Sequence, residues 1–161
     1  MFSRTRWGSA GDLYGEVCLT VIPIVSRKYA FQAVIADPAL HSLGGHDYVA
    51  SERLSLELSR LSAKHLILGA KGADDEVFRI LGARNSFSES IYGRTDRSDA
   101  EFNRRASALA RDLLRAVRWQ WPDLLVLPTC DQVVAYATAL ALGKSLARWR
   151  PTVLLWLLFP P

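Results

Sequence analysis

The chain has 161 residues and a mass of 17.9 kDa, which suits one domain with one hydrophobic core. Half of the residues are hydrophobic and 22% are charged, a balance that excludes a wholly disordered chain. The net charge is +4, and sixteen of the twenty cationic residues are Arg. These Arg are scattered rather than gathered in a basic run, so the composition argues against nucleic acid as a partner.

Cysteine use and hydropathy predict a cytoplasmic protein. The two cysteines, Cys18 and Cys130, are far apart and form neither a disulfide framework nor a metal-binding spacing. No apolar run reaches the ~18 residues that a membrane-spanning helix needs, and the N-terminus lacks the pattern of a signal peptide. The Arg and Trp residues still permit a peripheral membrane contact. No zinc motif, phosphate-binding loop or nucleophile elbow occurs, so no metal is expected.

The first half of the chain alternates strands and helices after an unassigned N-terminal extension, residues 1–29. The apolar run 30–36 predicts a buried strand, which Asp37 and Pro38 end. Apolar residues recur at helical spacing over 48–61, and Asp47 or Ser51 is expected near the start of that helix. The next elements are a strand at 65–69, a short helix at 74–81 and a long loop at 82–95.

The second half repeats the alternation. Residues 98–101, Ser-Asp-Ala-Glu, have the spacing of a capping box, and a long amphipathic helix should follow. Residues 123–127 predict a third strand that ends in the loop 128–131, and the alanine-rich stretch 132–142 predicts a helix. The apolar segment 151–159 predicts a last strand.

Strands that alternate with helices imply a parallel sheet, and continuous apolar strands agree because such a sheet is covered on both faces. The predicted fold class is therefore α/β, a Rossmann-like open parallel sheet with helices on both faces, in a single domain over residues 30–161. In such sheets, ligands bind outside the carboxyl ends of the strands. The segments that follow the strands are the places to seek a site.

The first candidate is the sequence Gly44-Gly45-His46, between the first strand and its helix. Paired glycines allow close approach of a ligand to the backbone, and a helix N-terminus attracts anionic groups. The alternative is a tight turn that needs glycine only for its shape. The sequence lacks the third glycine of a dinucleotide fingerprint, which argues against such a cofactor. His46 could donate a hydrogen bond to a ligand oxygen, act as a base, or serve the structure alone.

Two further segments place polar side chains at the same predicted edge. Asp37 follows the first strand, and Thr129 and Asp131 follow the third, where they could bind sugar hydroxyls. The alternative is that Asp37 stabilises a turn and Asp131 caps the next helix, which is the more common use of such residues. Cys130 has no neighbouring base and is not expected to be a nucleophile. No pattern identifies a catalytic residue.

The residues from Ala36 to His46, followed by a helix and strand, resemble the N-terminal domain of GT-B glycosyltransferases of the family-four, group 1 retaining type. The segment 123–129, its alanine-rich helix and the strand from Pro151 are similar to a later βαβ unit of that domain. The resemblance covers about residues 30–161, the acceptor-side domain.

The resemblance implies transfer of a sugar from a nucleotide-sugar donor to an acceptor, without a metal or other cofactor. By the same resemblance, the glycine loop approaches the donor diphosphate or the transferred sugar. The expected substrate-binding residues are thus Gly44, Gly45, His46, Asp37, Thr129 and Asp131. In that family the donor nucleotide site belongs to a second domain, so a separate C-terminal domain or subunit is expected as a partner, and the isolated chain is expected to be inactive. Two alternatives stay open: a non-catalytic Rossmann-like module that binds a small anion or sugar, and a protein-interaction domain.

Overall fold

The computed structural model describes residues 31–91, 98–118, 121–144 and 151–157. Five parallel strands form a single sheet in the order β3-β2-β1-β4-β5. The strands are β1 (Gln32–Ala36), β2 (Lys64–Ala70), β3 (Arg84–Phe87), β4 (Leu124–Cys130) and β5 (Thr152–Leu157). This confirms the predicted Rossmann-like α/β class, whose characteristic strand order is 3-2-1-4-5. The predicted extension 1–29 and the last residues of the predicted final strand lie outside the described residues.

Four helices cover the two faces of the sheet. They are α1 (His46–Arg60), α2 (Asp75–Leu81), α3 (Asp99–Val117) and α4 (Gln132–Lys144). Side chains alternate along each strand, so Ala33 and Ile35 of β1 pack under α1 and α2, while Val34 packs under α3 and α4. This two-sided burial explains why the strands read as continuous apolar runs.

Two predicted loops contain strand residues, and these predictions are corrected. The segment 82–95 includes β3, which pairs with β2 at the edge of the sheet. Its residues Arg84 and Asn85 are exposed, because an edge strand needs no apolar run. Likewise β4 runs on to Cys130, so Pro128 and Thr129 lie within the strand rather than in a loop after it.

The two edges of the described sheet differ in polarity. The β3 edge carries polar side chains, whereas Leu154 and Leu155 of β5 are 45% and 41% exposed. Between the edges, β1 and β4 are neighbours at the centre. The chain leaves β1 toward α1 on one face and leaves β4 toward α4 on the other. A crevice therefore opens at the carboxyl ends of these two strands.

Candidate functional site

The glycine turn, residues Gly44 and Gly45, lies at the carboxyl edge of the sheet, as predicted. Gly44 has φ +84°, in the left-handed region that glycine enters without strain. Gly45 has extended backbone (φ −76°, ψ 160°) and is the N-cap of α1, so no N-cap side chain accepts from the first-turn amides. The turn thus presents main chain and the positive end of a helix at the edge where ligands bind.

The fold needs glycine at only one of these two positions. A side chain at Gly44 would be strained by its backbone angle. A Cβ at Gly45 would meet nothing closer than Asp47 Oδ2 at 3.7 Å, which is an ordinary contact. Turn geometry therefore accounts for Gly44, whereas at Gly45 glycine is a favoured N-cap residue that also leaves the main chain uncovered.

His46, the first residue of α1, lies next to the turn with a largely exposed side chain. Its Nε2 is 2.8 Å from Oδ1 of Asp47, whose side chain is buried. A carboxylate in the first turn of a helix also complements the helix dipole. The pair places an imidazole at the edge of the crevice and orients it with a buried acid. This is an arrangement in which the ring can exchange a hydrogen bond or proton with a ligand.

Asp37 lies beneath the turn, is 0% exposed and is held by three donors. Its Oδ1 accepts hydrogen bonds from the Ala39 N–H (3.0 Å) and the Thr129 hydroxyl, and its Oδ2 accepts one from the Ser51 hydroxyl (3.0 Å). Burial raises the pKa of Asp37 from 3.8 to about 6, and the nearby charge of Asp47 adds to the rise. The hydrogen bonds from Thr129, Ala39 and Ser51 act in the opposite direction.

Three of the predicted site residues use their polar side chains for hydrogen bonds within the protein. Asp37 is 0% exposed, Thr129 is 1% exposed, and the Thr129 hydroxyl donates a hydrogen bond to Asp37. The expectation that these two side chains contact sugar hydroxyls is therefore revised. Asp131 Oδ1 accepts a hydrogen bond from the Val134 N–H at 2.8 Å and so caps α4. This capping role is the alternative that the sequence left open as the more common use of such a residue. Burial raises the pKa of the Cys130 thiol to about 11, so the thiol stays protonated at neutral pH and is a poor nucleophile.

Sequence reasoning missed the site role of Asp47 and Ser51. It expected one of them near the start of α1, but the helix begins earlier, at His46, and both lie inside it. They are four residues apart, so they share the helix face that turns toward Asp37. One sequence signal could have identified Asp47 and Ser51: two small polar residues occur four residues apart on the face where an amphipathic helix should carry apolar ones.

The described residues offer little else that could hold a cofactor or metal. Within them, no three His, Cys, Asp or Glu side chains come together as metal ligands. A small apolar cavity of about 10 Å³ lies between the sheet and helices α3 and α4, where Leu109, Leu127 and Thr138 line it. Ligand pockets are usually larger than ~300 Å³. The glycine turn and His46 therefore remain the main candidate site.

Comparison with known proteins supports the fold. No protein-family model and no curated protein matches the chain. Among solved structures, the chain is similar to the crystal structure of the glycotransferase of kitacinnamycin, with a TM-score of 0.51 and 17% sequence identity. The similarity covers 81% of this chain and 31% of that one, so the chain spans about a third of its length. At this identity the similarity shows a shared fold: the chain has a Rossmann-like fold found in part of a glycosyltransferase. None of the described helices is long and apolar enough to cross a membrane.

Proposed function

We propose that residues 30–161 are the N-terminal, acceptor-side domain of a GT-B glycosyltransferase of the family-four type. The domain contributes to transfer of a sugar from a nucleotide-sugar donor to an acceptor. The observation that carries this proposal is the glycine turn at the carboxyl ends of β1 and β4, where the connections leave the sheet toward opposite faces and Gly45 leaves the main chain of the N-cap uncovered. An uncovered main chain allows a ligand to approach it closely.

Gly45 and His46 have different roles in the proposed binding of a sugar. Gly45 leaves room for a sugar ring against the backbone, and the exposed imidazole of His46 contacts one of its hydroxyls. Asp47 Oδ1 lies 2.8 Å from Nε2, and in the neutral tautomer protonated at Nε2 the lone pair is on Nδ1. That nitrogen can accept a hydrogen bond, or the proton, of a ligand hydroxyl, and Asp47 stabilises the resulting imidazolium.

The charges near the turn favour a neutral ligand over a phosphate. Asp37 lies buried beneath the turn and Asp47 lies in the first turn of α1. Two carboxylates offset the attraction of the helix dipole for an anion, because like charges in a poorly solvated site repel strongly. The group at the turn is therefore a sugar, either transferred or acceptor. The donor nucleotide then belongs to a second domain or subunit, which fits a chain that spans 31% of the similar structure.

Amide chemical-shift mapping on the ¹⁵N-labelled chain tests the proposal. Three probes are titrated separately: maltose as a neutral sugar, UDP-glucose as a nucleotide sugar, and inorganic pyrophosphate. We expect maltose or UDP-glucose to shift the amides of residues 44–48, and pyrophosphate to leave them in place. If neither sugar probe moves these amides, the turn is not the proposed sugar site. Shifts with pyrophosphate alone would point to a small-anion module.

Two variants with matched controls locate the binding. Gly45→Val blocks approach to the main chain, and its Cβ makes only an ordinary contact with Asp47; Gly143→Val makes the same change at a glycine whose added Cβ meets nothing within 4 Å. His46→Ala removes the imidazole, and His41→Ala removes an exposed imidazole elsewhere on the β1–α1 connection. We expect Gly45→Val to abolish sugar binding and His46→Ala to weaken it about tenfold, as for one lost hydrogen bond. Unchanged titrations for both would contradict these roles.

A further inference from the structure

We propose that Asp37 is a positioning residue: it fastens the first turns of α1 to the end of β4 and so fixes the glycine turn and His46 in place. This inference rests on the proposed function, in which that turn binds the ligand. Asp37 itself cannot touch the ligand in this arrangement, because its side chain is 0% exposed.

The contacts of Asp37 join three parts of the fold. The Ala39 N–H belongs to the connection that leaves β1, the Ser51 hydroxyl to α1, and the Thr129 hydroxyl to β4. Ser51 and Thr129 lie 14 and 92 residues away from Asp37 in the chain. A single carboxylate therefore ties a helix to the neighbouring strand across the crevice.

No fully buried apolar side chain anchors the start of α1; Tyr48 there is half-buried and packs against the apolar cluster that contains Ala33 and Ile35. All fifteen residues of α1 are described, and the buried ones are Asp47, Ser51 and Leu58. Leu58 lies in the last turn and packs in the apolar cluster under the sheet. The two buried side chains of the first two turns are polar, and both act on Asp37, Ser51 by a hydrogen bond and Asp47 by its charge.

The last turn of α1 is therefore held by a fully buried apolar side chain, whereas the polar end, its first two turns, combines the half-buried Tyr48 with the buried hydrogen bond from Ser51 to Asp37. Hydrogen bonds are directional, whereas apolar packing tolerates sliding, so the polar end defines where the helix begins relative to the strands. The glycine turn and His46 lie immediately before this polar end. Loosening it would leave the fold intact while moving the atoms that face the ligand.

A pair of isosteric substitutions separates this role from general stability. Thr129→Val removes the hydroxyl that bonds to Asp37. Thr138→Val makes the same change at a second buried threonine, whose hydroxyl bonds to the Val134 carbonyl within α4. Thr129→Ser restores the hydroxyl, and Ser51→Ala removes the donor on the helix side without touching the sheet.

Native-state hydrogen exchange of the full chain, without ligand, gives the first measurement. We expect Thr129→Val and Ser51→Ala to speed exchange of the amides of residues 49–52 about tenfold, and to leave residues 55–60 unchanged. Thr138→Val should leave both regions unchanged, and Thr129→Ser should match the parent chain. If neither Thr129→Val nor Ser51→Ala speeds exchange at the start of α1, Asp37 does not position it.

Titration with maltose and UDP-glucose gives the second measurement. Whichever probe binds the parent chain should bind Thr129→Val about tenfold more weakly, with Thr138→Val and Thr129→Ser unaffected. Equal binding by Thr129→Val and the parent chain would overturn the positioning role while the proposed function stands. If neither probe binds the parent chain, the proposed function fails, and hydrogen exchange alone then decides the role of Asp37.

Discussion

At the scale of single residues, the chain shows that a polar side chain at a strand end can serve a site without touching a ligand. Asp37 and Thr129 sit at the carboxyl ends of the two central strands, where sugar-binding groups are expected, yet both are buried and bonded to each other. Their neighbours Gly45 and His46 are more accessible. The type of a residue does not tell whether its side chain is buried. Burial in the folded chain distinguishes residues that support the site from residues that can contact a ligand.

The buried carboxylate of Asp37 predicts a pH dependence of stability. Its pKa is about 6 in the folded chain, against an ordinary value of 3.8, so between these values the folded state holds more protons than the unfolded state. The free energy of unfolding should therefore fall as pH rises from about 4 to about 6, by about 3 kcal/mol from this group. Urea unfolding of the parent chain and of Asp37→Asn across this range measures it.

The difference in unfolding free energy between parent and variant isolates this contribution, because asparagine does not titrate. The groups that face Asp37 are Asp47, Ser51 and Thr129, and they are the same in both proteins. The parent chain should lose stability relative to Asp37→Asn up to about pH 6 and hold a constant difference above it. Parallel curves throughout would show that the carboxyl has an ordinary pKa.

At the scale of elements, helix caps were well specified by local sequence. The capping-box spacing predicted the start of α3, and the Ser98 hydroxyl does accept the Glu101 N–H at 3.2 Å. For α1, the predicted start was two residues late, because its N-cap is a glycine and its first turns are polar on the buried side. The strand β3 was missed for a related reason: a short polar edge strand has no periodic apolar signal.

The cap of α3 gives a second prediction. Ser98→Ala removes the acceptor for the Glu101 N–H and should lower the free energy of unfolding by about 1 kcal/mol. Ser59→Ala, at an exposed position inside α1, makes the same chemical change and should alter stability by less than about 0.5 kcal/mol. Urea unfolding at neutral pH compares the two variants. Equal effects would mean that the Ser98 hydroxyl does not contribute as a cap.

At the scale of the whole molecule, the described fold is built around β1 and β4, and both apolar clusters meet at these strands. Val34 and Leu125 belong to the cluster under α3 and α4, and Ile35 belongs to the one under α1 and α2. The regular alternation of predicted strands and helices begins at residue 30. On this ground we propose that the domain begins at about residue 30 and that residues 1–29 are an extension to it.

Truncation tests this boundary. Removal of residues 1–29 should leave cooperative unfolding with the same urea midpoint, because the strand and helix pattern that predicts the domain begins at residue 30. Removal of residues 1–36 takes away the central strand β1 and should abolish cooperative unfolding. A large fall in the midpoint after the shorter truncation would show that the extension belongs to the domain.

Among the described elements, the sequence by itself determined the α/β class, four of the five strands and all four helices, because apolar periodicity and capping residues are local signals. It also placed the glycine turn and His46 at the ligand-binding edge, since a βα connection of a parallel sheet always lies there. Tertiary structure alone decided that Asp37, Ser51 and Thr129 meet, because they are distant along the chain and come together only when β1 and β4 pair. It decided equally that Asp131 is a cap and that the Asp47 carboxylate lies 2.8 Å from the His46 imidazole, since such contacts depend on distance and direction in space.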